Sequence, residues 1–179
     1  MTMKAIRILL LAAVALASAE ARAEFFVDIG LAATRIESRI NANPVTIKTS
    51  DESVHLGIGG RRPIGERGDI GFRLELDPVD SGTLLGLRAL DYRRHATPKF
   101  AYGVFAGAAR LALATPAYGW YLGGGIQLTE LTEHWDLGID FRVGDKLARD
   151  NLLPGEARDR SPDNFHTVRT LSVYLSRRF

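Results

Sequence analysis

Apolar and polar residues alternate along residues 24–179 with a period of two, in segments of about ten residues, the length a strand needs to cross a bilayer. In the first segment Phe25, Val27, Ile29, Leu31 and Ala33 share one face, and Phe26, Asp28, Gly30, Ala32 and Thr34 the other. The second sets Val54, Leu56 and Ile58 against Ser53, His55, Gly57 and Gly59, and the third sets Ile70, Phe72, Leu74 and Leu76 against Gly71, Arg73, Glu75 and Asp77. A fourth, Thr83–Arg93, puts Leu85, Leu87 and Ala89 outward and Gly86, Arg88, Leu90 and Tyr92 inward. The fifth sets Phe100, Tyr102, Val104, Ala106 and Ala108 against Gly103, Phe105, Gly107 and Ala109; the sixth sets Tyr118, Trp120, Leu122, Ile126 and Leu128 against Gly119, Tyr121, Gly123, Gly125 and Gln127. In the seventh, Trp135, Leu137, Ile139, Phe141 and Val143 oppose Asp136, Gly138, Asp140, Arg142 and Gly144. The last has Leu171, Val173, Leu175 and Phe179 outward and Thr170, Ser172, Tyr174 and Ser176 inward. The pattern predicts an all-β fold, an eight-stranded antiparallel up-and-down transmembrane β-barrel.

Glycine and proline agree with this parity. Twelve of the eighteen glycines fall on the inward face, where a narrow eight-stranded barrel has least room. All seven prolines lie between or at the ends of the segments, as a residue without an N–H requires. With both termini periplasmic, the short turns are Arg62–Asp69, Arg94–Pro98 and Glu130–Glu133. The surface loops are then Arg35–Glu52, Pro78–Gly82, Ala112–Ala117 and Asp145–Asn164.

The first residues have the three parts of a secretory leader: Lys4 and Arg7, an apolar run Ile8–Ala17, and Ala21-Arg22-Ala23 before Glu24. The expected division is a signal peptide over 1–23 and one barrel domain over 24–179. Removing the leader leaves 20 basic and 20 acidic residues of the original 23 and 21, so the sequence pI of 9.1 is no argument for a nucleic-acid partner. The chain has no cysteine, which excludes disulfides, thiolate metal sites and cysteine nucleophiles. Mean hydropathy is −0.03, and no apolar run beyond the leader reaches the length of a transmembrane helix.

The run Tyr118-Gly-Trp-Tyr-Leu-Gly-Gly-Gly-Ile-Gln-Leu, the run from Trp135 to Asp145 and the closing Val173-Tyr-Leu-Ser-Arg-Arg-Phe resemble the small outer-membrane barrels. That group includes the OmpA transmembrane domain and the OmpX and Ail-like proteins. The resemblance implies residence in the outer membrane, no cofactor, and for most members no catalysis. It also implies that the barrel-assembly machinery reads Phe179, Leu175, Val173 and Leu171. Arg177 stands where the family usually has an apolar or aromatic residue.

Candidate chemistry is sparse. Inward Asp28, Arg73, Glu75, Arg88, Asp140 and Arg142 form three acids and three bases, expected to pair and fill the lumen rather than line a pore. Arg110 and Arg169, outward near the extracellular ends of their strands, are expected to meet lipopolysaccharide phosphates. A host or envelope protein is expected to dock on the loops 35–52 and 145–164, the latter with Leu147, Leu152 and Leu153 as apolar anchors. The four histidines are scattered, without metal-ligand spacing. An enzyme of the lipid A-modifying kind would need a base beside a nucleophile, with His55 and His166 near Ser53, Thr167 or Ser172 as candidates. No His-x-Ser motif occurs, so no catalysis is expected. The other alternative is a soluble lipocalin-like barrel with the same parity turned inside out.

Overall fold

Eight alternating strands leave no free edge across a membrane only when the last pairs with the first, and the chain closes in that way. The computed structural model describes residues 23–40, 43–80, 82–113, 116–149 and 164–179. Eight strands follow in order: β1 Glu24–Ile40, β2 Asn43–Ile64, β3 Gly68–Val79, β4 Gly82–Thr97, β5 Phe100–Ala112, β6 Ala117–Thr132, β7 Trp135–Arg149 and β8 Asn164–Arg178. Each pairs antiparallel with its sequence neighbour, and β8 with β1. Of the leader expected over 1–23, only Ala23 lies within the described residues.

The register fixes the shape. From Ile29 the cross-strand partners run through Leu56, Leu76, Leu85, Arg110, Tyr118, Ala148 and Phe165 and return to β1 at Arg39, ten residues further on. Such a stagger tilts the strands by about 40° and leaves an interior just wide enough for side chains.

Three predicted features are corrected. Arg35–Glu52 is not a loop: β1 and β2 continue as a ladder from Arg35↔Ser50 to Arg39↔Thr46, leaving only residues 41–42 outside the description. Asp145–Arg149 likewise belongs to β7, and the rest of that predicted loop, 150–163 with Leu152 and Leu153, lies outside the described residues. Third, β4 does not keep one parity. A bulge between Arg88 and Leu90 turns Leu90 and Tyr92 outward, 48% and 37% exposed, and buries Asp91 and Arg93 instead. Bulges insert one residue and re-aim every side chain beyond them.

The connections predicted as periplasmic turns are shorter than expected. One runs from Ile64 to Gly68 through Gly65, whose φ of 66° is the left-handed conformation a glycine adopts without strain.

Candidate functional site: a closed, charged lumen

The inside of the barrel is polar and the outside is not. Leu31, Val104, Trp120 and Leu122 are more than 60% exposed, whereas Asp28, Arg73, Asp77 and Arg88 are at most 1% exposed. This arrangement contradicts the lipocalin-like alternative, which needs the charges outside.

The six charged residues singled out in the sequence lie together in the lumen. Asp28 pairs with Arg73 at 3.0 Å. Glu75 takes bonds from Tyr121 Oη at 2.9 Å, from Arg142 Nη1 at 2.7 Å and from Arg88. Asp140 forms an ion pair with Arg88 Nη1 at 2.7 Å and accepts a hydrogen bond from Tyr174 Oη at 2.9 Å. Charge-assisted bonds of this kind are what make buried ions tolerable.

The network is twice the predicted size. Asp77 joins it by pairing with Arg142 and with His55 Nδ1 at 2.6 Å. Asp91 lies 3.5 Å from Arg93 Nε, and Arg93 donates to Tyr174 Oη at 3.0 Å and to Gln127. Gln127 also receives Arg61 Nη1 at 3.1 Å and donates to Asp136 at 2.7 Å, which in turn faces Arg178 Nε at 3.3 Å. Six carboxylates (Asp28, Glu75, Asp77, Asp91, Asp136, Asp140) thus meet six guanidiniums (Arg61, Arg73, Arg88, Arg93, Arg142, Arg178), and the stack is formally neutral. Alternation itself pointed to Asp77 and Asp136. Asp91 and Arg93 were hidden by the bulge, and Arg61 lay beyond the end assigned to the second segment.

Aromatic rings complete the packing. The Arg88 guanidinium lies 3.5 Å from the Phe105 ring centroid, and Arg61 and Arg73 lie 4.3 and 4.9 Å from that of Phe26. Toward the end of the barrel away from the chain termini the lumen turns apolar: Ile36, Val79, Leu84, Leu111, Leu147 and Val168 form a plug with Phe105 and Tyr121. Leu147 is therefore core, not a loop anchor. A bulge between Gly144 and Leu147, with Lys146 at φ 52°, turns it inward.

The space under Leu84, Leu147 and Val168 measures about 10 Å³, the volume of one water at most. Purified barrel in planar bilayers is expected to give no steady conductance. Reproducible single-channel steps from the wild-type protein would show that the network opens.

The remaining predicted residues fall elsewhere. Leu171, Val173, Leu175 and Phe179 point outward, 43–69% exposed, and Arg177 lies over the rings of Trp135 and Phe179 at 5.9 and 5.1 Å. His166 Nδ1 is 2.9 Å from Ser38 Oγ, and His55, bonded to Asp77, is fully buried. Among the described residues no group of three or more His, Cys, Asp or Glu is placed to hold a metal. Arg169 lies 3.9 Å from Glu37, and Arg110 stands 5.8 Å from the Tyr118 ring.

No protein-family model matches the sequence, and no curated protein matches it. Solved structures do match in three dimensions. Ail, the attachment invasion locus protein of Yersinia pestis, in complex with the heparin analogue sucrose octasulfate, superposes with a TM-score of 0.56 at 10% identity, over 88% of this chain and 99% of that one. Ail alone gives 0.54 at 11% identity, over 87% and 98%. Neisserial surface protein A gives 0.51 at 12% identity, over 87% and 97%. The chain has the closed eight-stranded antiparallel fold of the small outer-membrane β-barrels to which Ail and Neisserial surface protein A belong.

Proposed function

We propose that this chain is an integral outer-membrane protein that acts in envelope structure and surface interaction, not in catalysis or transport. The observation that carries the reading is the inversion of inside and outside. A continuous apolar wall suits hydrocarbon, and among the described residues the neutral charged stack fills the lumen.

The interaction role falls to the part above the apolar belt. There β2 pairs with β3 only from Leu56 onward, so among the described residues the backbone ladder of Asn43–His55 is with β1 alone, while side-chain bonds from Asp51 and His55 reach Asp80 N and Asp77. A strand edge with unpaired backbone groups is a place where an extended polypeptide can add.

One experiment tests both halves. Native protein should fractionate with the outer membrane and run faster on a gel unheated than boiled. A variant lacking Arg39–Thr46 should keep that behaviour and lose attachment to host cells or matrix. Recovery of the native protein from periplasmic extract without detergent overturns the membrane reading, and full attachment by the hairpin-deleted barrel overturns the interaction reading.

A further inference from the structure

The outer wall of a barrel is convex, yet between β1 and β6 this one has a trough. Leu56, Ile58, Leu74, Leu87 and Ala108 line it, and Ala108 stands between its cross-strand partners Leu87 on β4 and Trp120 on β6. The Ala108 methyl is far shorter than the Leu87 and Trp120 side chains that flank it, which leaves the wall low at that point. The trough is open on its outer side and has a volume of about 690 Å³, within the range of about 300–1,000 Å³ typical of ligand sites.

Its extracellular end is not apolar. Arg110 and Tyr118, directly paired across β5 and β6, line it, with the guanidinium 5.8 Å from the ring centroid. The ten-residue stagger lifts Arg110, four strands on from Ile29, by about five residues, to the level of Arg35 on β1. Arg35 sits opposite Arg169, and both share Glu37 at 3.3 and 3.9 Å. Among the described residues Arg110 has no carboxylate at ion-pair distance. It is a free planar donor at the upper rim of the belt, a geometry that matches phosphate oxygens.

We propose that the trough is a binding site for one phosphorylated acyl lipid of the surrounding bilayer, with an acyl chain along Leu56, Leu74 and Ala108 and the phosphate on Arg110. The site rests on the membrane reading above. It assigns Arg110 a role that Arg169, already facing Glu37, does not share equally.

The test is native mass spectrometry of the detergent-solubilised barrel after incubation with dipalmitoyl phosphatidic acid, with dipalmitoylglycerol and glycerol 3-phosphate as separate probes. Heat-modifiability on a gel is recorded for every sample. Wild type should retain phosphatidic acid at least five-fold over dipalmitoylglycerol and retain no glycerol 3-phosphate. Arg110→Gln should bring that ratio close to one, and Ala108→Phe, which fills the trough, should reduce retention of both lipids. Equal retention by wild type and both variants overturns the site, as does retention of glycerol 3-phosphate equal to that of phosphatidic acid. Loss of heat-modifiability in the wild type instead removes the membrane reading on which the site rests.

Discussion

Replacing Arg88 by alanine should lower the unfolding free energy of the barrel by about 3–5 kcal/mol, the cost of leaving a buried charge without its partner. Arg88 is 1% exposed and touches three carboxylates: Glu75, Asp140 at 2.7 Å and Asp91 at 3.8 Å. Its removal turns a neutral stack into one with an excess negative charge, and Phe105 loses the guanidinium stacked on its face. Charge balance, not the cation itself, is the proposed origin. The double variant Arg88→Met, Asp91→Asn should therefore recover part of the loss, because it is neutral again. Urea unfolding of vesicle-inserted protein, followed by the fluorescence of Trp120 and Trp135, measures both. A single variant within about 0.5 kcal/mol of wild type, the range of ordinary surface changes, or a double variant no better than the single, would refute this account.

The periodicity carried most of the fold because a two-residue period has only one solution on a closed wall: one face to lipid, one to the lumen. Phe25 to Ala33 and Trp135 to Val143 fall on the outward face as their alternation requires. The alternation fails at irregularities that leave no mark in composition. Residues 85–93 read as one continuous strand, yet the extra residue at Ala89 exchanges Leu90 and Tyr92 for Asp91 and Arg93. Two unpaired charges would have stood in the apolar belt on unbroken parity, and that conflict was the available signal for a bulge. The β1–β2 extension was illegible for a different reason. Beyond the apolar belt neither face of Arg35–Glu52 has to meet hydrocarbon, so polar residues such as Glu37, Lys48 and Asp51 look like a loop although Arg35–Ile40 and Asn43–Ser50 pair with each other as a ladder.

Gly138→Val should destabilise the barrel by about 3 kcal/mol or more, a larger effect than any valine on the outward face would have. No unusual backbone angle is involved; the constraint is space. A Cβ at Gly138 would meet the Tyr174 ring across the β7–β8 ladder, with the Tyr174 hydroxyl 2.6 Å away. Tyr174 is 1% exposed, donates to Asp140 at 2.9 Å and receives Arg93 Nη2 at 3.0 Å, and its ring lies 4.9 Å from the Arg73 guanidinium. Overpacking alone costs about 1–3 kcal/mol. Moving the ring also strands polar groups that have no water to turn to, at about 1–3 kcal/mol each. The eight-stranded lumen offers no second position for a side chain of this size. Trimming the ring as well, in Gly138→Val with Tyr174→Ala, should relieve the clash but leave Asp140 and Arg93 short of a partner, so the pair should recover only part of the loss. Urea midpoints in vesicles give the comparison, and Gly138→Val at wild-type stability would mean that the lumen has slack which its packing does not show.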